Sequence, residues 1–478
     1  MKIAVFSPYA TVVPHFDTEL DIAQQLLDEG HEVEFFSCTG KLANCDSNLD
    51  RSESRCADCI GRREMGLELL EPNVVCHSFH DETEIVIQTE FSSVGELIDY
   101  RIDNFDIGYA ALSSVVSVCR DPEPDLYEHR DALKRFLTSA WQTYQQTLEY
   151  LSQNDIDRVY IFNGRFAAVR AVLRASQSQN VDCFIHERGC DGSHYDLFEN
   201  HLPHDIAKIE STIQRLWNAA ESNPDREKIA SQWFHDRVNR VEKMWHSFVK
   251  DQEQGRLPPE FDKAKQNVAI FTSSDDEFVA IGAEWQNHIY PDQVAAVSRI
   301  AQDLLEAAPH IQLYVRVHPN LKDVDNERLR RMLSLDHPNL TIIPPAATID
   351  TYELVRESAM TVSFGSSVGC EAVFWDKPSV LLGPCFYCNL GSVYVAQSHQ
   401  HAIELLSQQL EPKPKLGALK YGFWFQTRGF PHKYFKATGL FDGQFKGQTL
   451  YAREPSSPST LRKLKDRARK LIGYFRSH

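Results

Sequence analysis

Between Ser363 and Pro378 the chain reads SFGSSVGCEAVFWDKP, directly after an apolar, strand-like run. A strand that ends in a tight turn of small residues and passes at once into a helix presents bare backbone N–H groups at the positive end of the helix, where an anion can bind. After Ser363, residues Gly365, Ser366 and Ser367 leave room for a phosphate to approach the backbone, and the serine hydroxyls can donate to it. Glu371 falls one helical turn past Ser367, within reach of the vicinal hydroxyls of a ribose. Upstream, Arg316, His318, Pro319 and Asn320 stand in the run Arg-Val-His-Pro-Asn, which leaves an earlier strand and can bring positive charge from the other side. Small residues between strand and helix are common in α/β sheets, and most such turns bind nothing. The whole set of Arg-x-His-Pro-Asn, strand, Ser-rich turn, Gly-x-Glu-Ala and Lys-Pro is more specific. It suggests a pocket for a nucleotide mono- or diphosphate that carries a sugar.

Sugar transfer also needs a base for the acceptor hydroxyl, opposite the donors that receive the departing phosphate. His15 follows the first strand in PYATVVPHFDTEL, expected in a loop at the carboxyl end of the sheet, and is a candidate with Asp17 and Glu19 as rivals, its lead over them resting on the family resemblance given below; a solvent-exposed loop histidine, or an N-cap role for Asp17, is the alternative. Asn163-Gly164-Arg165 and Glu187-Arg188-Gly189 each follow an apolar strand. Asn163, Arg165 and Arg188 are assigned to acceptor binding and Glu187 is a further candidate base; an Arg–Glu pair closing the sheet edge is the competing reading. In Thr272-Ser273-Ser274-Asp275-Asp276-Glu277, Ser273 and Ser274 are expected to donate to the ligand and Glu277 to line the sugar site, with helix capping compatible. Asp275-Asp276 lacks the spacing of an Asp-x-Asp metal motif, so no catalytic metal or cofactor is expected. Cys38, Cys45, Cys56 and Cys59 could hold a structural zinc, although their gaps are irregular; reduced core and loop thiols, or disulfides, are the alternatives. Cys385 and Cys388 are read as packing residues.

The elements that must carry these groups are legible from periodicity. Strands at 2–6, 33–36, 158–162 and 182–186 alternate with helical patterns, as do strands at 268–271, 311–317, 340–343, 360–364 and 378–382. Such alternation predicts an α/β fold with two Rossmann-like, doubly wound domains. The first is placed at 1–204, with an irregular insertion at about 60–130. A helical segment and linker follow at 205–264, with Val238, Val241, Trp245 and Phe248 on one stripe and a break at Gly255 and Pro258-Pro259. The second domain spans 265–410, and Pro412 and Pro414 mark the start of a tail at 411–478. That tail ends in a basic amphipathic pattern with Leu461, Leu464, Ala468, Leu471 and Phe475 on one face, suited to an anionic membrane surface or to packing on the protein.

The second half resembles the nucleotide-binding domain of GT-B glycosyltransferases, above all those that build bacterial capsules and other surface polysaccharides. In sialyl- and Kdo-type members a His-Pro motif and a Ser-rich motif hold the nucleotide of a CMP-sugar, and His318-Pro319 and Ser363 to Ser367 match that pattern. The resemblance covers residues 266–405 best. It implies two domains around a cleft, a CMP- or UDP-sugar donor with GDP also compatible, a glycan or lipid-linked glycan acceptor, an inverting and metal-independent transfer, and Glu371 on the ribose. A UDP-GlcNAc 2-epimerase is the nearest alternative, but its turn usually carries consecutive glycines and two acids. A catalytically silent nucleotide- or glycan-binding scaffold is the third reading. Net charge of −17 argues against nucleic acid as partner. The start lacks a signal-peptide pattern, and no apolar run approaches the ~20 residues of a membrane span, so a cytoplasmic protein with reduced thiols is expected, with contact between its last helix and the inner membrane face as one alternative.

Overall fold

The computed structural model describes residues 1–78, 87–243 and 246–450. They form two compact units: Met1–His204 together with the chain from Arg428 onward, and Asp205–Thr427.

In the first unit, β1 (Lys2–Ser7), β2 (Glu32–Ser37), β3 (Val75–Ser78), β4 (Arg158–Phe162) and β5 (Asp182–Arg188) are parallel in the order β3-β2-β1-β4-β5. A sixth strand, β6 (His194–Glu199), returns antiparallel to β5. The central strands β1 and β4 are apolar almost throughout because both sheet faces are covered there. Ile3, Val5 and Phe35 pack against Phe16, Leu20, Ala23 and Leu27 of the helix His15–Asp28.

The segment expected to be an irregular, polar insertion of loops and short helices holds a strand as well as helices among its described residues. It contains β3 and the helices Glu53–Glu68, Val94–Asp99 and Ile107–Cys119. The last of these, IGYAALSSVVSVC, is buried continuously from residue 107 to residue 117. A helix covered on all sides shows no apolar stripe, so its period is hard to see. Asp106, just before it, pairs with Arg170 at 2.5 Å and Arg174 at 2.8 Å. Burial alone would raise the Asp106 carboxyl, but the two guanidinium groups hold it far below the ordinary range.

The chain beyond residue 411 is not a separate tail. Helix Leu416–Thr427 belongs to the second unit, and the residues after it complete the first. Phe430–Pro431 pairs with β6, and the hairpin Phe435–Gly439 and Asp442–Phe445 follows. Asp21 fastens this segment: its carboxylate accepts the backbone N–H groups of Lys433, Tyr434 and Phe435 at 3.1, 2.5 and 2.8 Å. Arg62 adds a bond from Nε to the Leu450 carbonyl at 3.0 Å. The basic amphipathic pattern at 461–476 lies outside the described residues. Among the described residues no helix is long and apolar enough to cross a membrane.

In the second unit, β7 (Gln266–Phe271), β8 (Ile311–Arg316), β9 (Leu340–Ile343), β10 (Met360–Ser363), β11 (Ser379–Leu381) and β12 (Tyr394–Val395) form a wholly parallel sheet in the order β12-β11-β10-β7-β8-β9. Val268, Ile270, Leu313, Val315 and Val362 face one apolar layer, and Ala269, Phe271 and Tyr314 face the other. Residues 205–264 are not an independent linker segment. Helices Ile206–Ala219 and Arg226–Val238 pack on Leu416–Thr427, with Trp217 edge-on to Phe423 at 5.7 Å and Phe234 stacked on Phe374 at 4.1 Å. The expected continuous helix is split near Asn223-Pro224 and ends at Val238, where Arg240 adopts φ +61. Val241 and Phe248 therefore lie beyond the helix, and Trp245 lies outside the described residues.

The Asp21 clamp predicts a specific stability loss. Replacing Asp21 with Ala strands three backbone donors, each worth about 1–3 kcal/mol when buried without a partner. Burial works against the Asp21 charge, but His432 and the Tyr434 and Phe435 amides outweigh it and lower the carboxyl. The ionic contribution is therefore present above pH ~4 and lost as pH falls below it. Urea denaturation should show Asp21→Asn less stable than wild type at neutral pH, with the gap narrowing as the solution is acidified. A constant gap would contradict the clamp.

Candidate functional site

The strand order of the second unit reverses between β7 and β10. In open α/β sheets the ligand crevice lies at that reversal, outside the carboxyl ends of the strands. The loop after β7 carries Thr272, Ser273 and Ser274, and the loop after β10 carries Phe364 to Ser367. Thus the two Ser-rich segments singled out in the sequence flank one switch point.

Each loop is held from behind. The Thr272 hydroxyl accepts the backbone N–H of His318 at 2.9 Å. Gln293 accepts the Ser273 N–H at 2.9 Å through Oε1 and returns Nε2 toward the Ser273 carbonyl at 3.3 Å. In the other loop, the Tyr387 hydroxyl donates to the Ser366 carbonyl at 2.5 Å and lies 3.1 Å from Ser363 Oγ. Gly365 has φ +120, and a Cβ there would stand 2.9 Å from the Pro384 carbonyl. Gly369 permits an equally close approach, since an added Cβ would meet Ser363 Oγ at 2.4 Å.

What faces the reversal is less satisfied. Ser273 Oγ is buried and has no hydrogen-bond partner among the described residues, and it lies close to Gly365. The backbone N–H groups of Gly365, Ser366 and Ser367 donate to no acceptor among the described residues. The following helix, Val368–Phe374, has only seven residues, so these loop donors and the Ser273 hydroxyl matter more than the helix dipole expected from sequence.

Beside them, His318 Nδ1 accepts the Asn320 N–H at 3.2 Å, which directs the ring proton to Nε2 in the neutral form. The ring meets Phe248 edge-on at 5.0 Å. Pro319 starts the short turn Pro319–Leu321, and Asn320 Nδ2 reaches Glu277 Oε1 at 2.9 Å and Ser274 Oγ at 3.4 Å. Ser274, Glu277, His318 and Asn320 are therefore brought together. No side-chain cap forms at the turn Asp275–Glu277; Ser274 donates to Asp276 at 2.9 Å instead. Asp275 is engaged by Gln293 and by Arg328 at 2.9 Å.

Two expected ligand contacts are spent inside the protein. Arg316 is buried and donates to the Pro344 and Ala347 carbonyls at 2.5 and 3.0 Å, with no acid beside it. Burial lowers its guanidinium to about 10. It ties down the loop after β9 and does not offer charge at the reversal. Glu371 is also buried: Tyr352 donates to Oε2 at 2.5 Å, while Ser367 and Arg237 reach Oε1 at 2.8 and 3.4 Å. Its carboxylate buttresses Ser367, and a ribose would have to displace one of these partners. Arg237, Tyr352, Gln293 and Tyr387 were missed in the sequence because each acts from an element distant in the chain and outside any motif.

In the first unit the corresponding reversal lies between β1 and β4. His15 is the first residue of its helix, not a loop residue, and its buried ring lies 3.8 Å from the Phe162 ring at the end of β4. Burial lowers its pKa well below the ordinary value, and Arg188, His186 and Arg62 act in the same direction. Asp17 is not an N-cap; it is held by Arg62 Nη2 at 2.7 and 2.8 Å. Glu19 is buried beneath His186, 3.4 Å away, and burial raises its carboxyl. Glu187 is only partly covered. Burial raises its pKa as well, and Asn163 Nδ2 donates to Oε1 at 2.5 Å. Arg188 does not pair through its guanidinium with Glu187; it donates to the Leu440 and Val13 carbonyls at 3.1 and 3.2 Å. Arg165 is buried over the Phe166 ring at 4.8 Å.

The four cysteines near the N-terminus do not gather as zinc ligands. Cys38, Cys56 and Cys59 separately accept from Gly40 N, Asn48 Nδ2 and Ala10 N at 3.3, 3.2 and 3.2 Å, and burial pushes the Cys45 thiol up. Among the described residues, the group that brings three ligand types together is Cys190, Asp191 and His194, within 4.8 Å. Asp191 Oδ1 there already accepts from Ser193 N and Oγ and contacts His194 Nδ1.

No family model matches this sequence, and no curated protein matches it. Among solved structures, the chain is similar to the Thermosulfurimonas dismutans KpsC β-Kdo 2,4 transferase, with 15% identity and a TM-score of 0.36 over 56% of this chain and 79% of that one. It is also similar to UDP-GlcNAc 2-epimerase from Neisseria meningitidis bound to UDP-GlcNAc, with 10% identity and a TM-score of 0.30 over 88% and 97%. A third is S. aureus MnaA with UDP, at 11% identity and 0.29 over 90% and 93%. All three scores are low, and the fold assignment rests on the strand order of this chain.

Two substitutions separate support from ligand contact. Tyr352→Phe leaves one buried Glu371 oxygen without a donor and should lower stability by about 1–3 kcal/mol in chemical denaturation. Ser273→Ala removes a hydroxyl that has no partner, so the free protein should be unchanged or slightly more stable. A comparable loss for Ser273→Ala would mean that its hydroxyl is already satisfied.

Proposed function

We propose that this protein is a glycosyltransferase that binds a nucleotide-sugar at the β7–β10 reversal and transfers the sugar to a glycan acceptor. The observation that carries the reading is the set of unsatisfied donors there: the buried Ser273 hydroxyl beside Gly365, and the N–H groups of Gly365, Ser366 and Ser367. Donors left unpaired in a folded protein favour an anion, and phosphate oxygens can accept from several at once. His318, with its proton on Nε2, can add a further donor as charge develops on the departing phosphate.

For the acceptor step, Glu187 is the best-suited base in the first unit. Asp17 is locked to Arg62, while His15 and Glu19 are buried, whereas Glu187 is partly exposed. Its raised pKa strengthens it as a base in the ionised form, and Asn163 orients it. The capsule-type acceptor and CMP- or UDP-sugar donor belong to this reading. Direct displacement by the acceptor oxygen would break the bond from sugar to phosphate, pass the acceptor proton to a base, and invert the anomeric centre.

Thermal melting with CMP, CDP, UDP, GDP and their sugars tests the binding step. One nucleotide series should raise Tm, and Ser273→Ala or His318→Ala should weaken it by about 5- to 10-fold, as expected for loss of one hydrogen bond. No shift at millimolar nucleotide would overturn the reading. Glu187→Gln should retain the nucleotide shift but lose about 10²–10⁴-fold in transfer, and the wild-type rate should rise with pH through a pKa above the ordinary ~4.3 of glutamate. Conversion of the free nucleotide-sugar to its 2-epimer, with no acceptor product, would identify an isomerase instead.

A further inference from the structure

Behind the Ser-rich loop, the chain leaves β11 and makes the turn Pro384-Cys385-Phe386-Tyr387-Cys388. The Cys388 N–H donates to the Cys385 carbonyl at 3.4 Å, closing a four-residue turn. Such a turn holds its first and fourth Cα atoms within about 7 Å, around the upper end of the spacing found in disulfides. Within this turn the two thiols are near enough to shift each other's titration. Their exposure is unequal: Cys385 is buried and Cys388 is partly open. This is the asymmetry of an attacking thiol and a resolving thiol.

We infer that Cys385 and Cys388 form a redox-active dithiol that exchanges with low-molecular-weight disulfides, directly beneath the Ser363–Ser367 loop. The thiolate of Cys388 attacks one sulfur of a disulfide RSSR, forms a mixed disulfide and releases RS⁻. Cys385 then passes its proton to that thiolate and attacks the Cys388 sulfur, forming the protein disulfide and releasing the second RS⁻, which takes a proton from solvent. The proton lost when Cys388 ionised balances this uptake. Two electrons have passed from the protein dithiol to RSSR, which leaves as two RSH.

The local charges suit this division. The hydrogen bond from Cys385 is the main influence that lowers Cys388, to about 7, against burial and the Glu210 carboxylate facing it from helix Ile206–Ala219. Burial keeps Cys385 protonated, and Cys388 and Cys370 press in the same direction. Tyr387, between the two cysteines, is the residue whose hydroxyl holds Ser363 and the Ser366 carbonyl. A disulfide would stiffen the turn that supports this loop. Any effect on nucleotide binding rests on the function proposed above; the exchange chemistry does not.

The test uses the full chain, reduced and then incubated with oxidised glutathione, followed by acid quenching and peptide mapping. The expected product is an intramolecular 385–388 disulfide, reversed by dithiothreitol, with Cys388 labelled by iodoacetamide at a midpoint near pH 7 before oxidation. In Cys385→Ser the reaction should stop at a glutathione adduct on Cys388, and the labelling midpoint should move up. In Cys388→Ser, Cys385 should remain unlabelled in the native protein. Persistence of both thiols in excess oxidised glutathione, or a Cys388 midpoint at the ordinary ~8.5, would overturn the inference. Because no nucleotide is present, these results are independent of whether the β7–β10 reversal binds one.

Discussion

A parallel sheet covers most of its strand ends with the connections that join neighbouring strands. Where the order reverses, two adjacent strands send their chains away to opposite faces, and their carboxyl ends are left open. In Asp205–Thr427 this place lies between β7 and β10, and the chemistry of the unit depends on what lines it. Serines and Gly365 leave the backbone accessible. The supporting groups, Gln293, Tyr387, Thr272 and the Glu371 cluster, hold the loops from behind without consuming the forward donors. A buried unpaired hydroxyl is unfavourable to the free protein, which makes Ser273 more telling than any exposed serine.

The first unit has the same central strand order but fills the equivalent place differently. His15 lies against Phe162, and Glu19 lies under His186, so bulky side chains occupy the β1–β4 reversal. A partly exposed carboxylate remains one strand further on, at Glu187, with the buried Asn163 amide donating to it. The contrast follows from residue size. A small-residue loop makes a backbone anion site, whereas aromatic and histidine side chains close the gap and leave function to neighbouring strand ends. The segment returning after Arg428 reinforces this unit through Asp21, so the helix that carries His15, Asp17 and Glu19 is clamped at that residue.

Strand–helix alternation was legible because apolar strands buried on both faces stand out, and nine of the twelve labelled strands have the positions that pattern suggests within a residue or two. β3, β6 and β12 are short or polar enough to escape it. The Ser-rich loops were readable as a pair because their residue types suit phosphate and because both follow strands. Side-chain destinations were not. Arg316 ends a strand and carries charge, as a ligand arginine would, yet both its Nη groups are taken by carbonyls of the loop after β9. Glu371 has helical spacing from Ser367, but Tyr352 and Arg237 reach it from far along the chain. The cysteine spacing near residues 38–59 suggested a metal, whereas among the described residues no three of those sulfurs lie within 4.8 Å of one another.

The most direct measurement is a crystal structure of the protein with the nucleotide that raises its Tm most. The account predicts phosphate oxygens within hydrogen-bond distance of Ser273 Oγ and the N–H groups of Ser366 and Ser367, with His318 Nε2 beside them. A nucleotide seated elsewhere, with Ser273 still unpartnered, would contradict it.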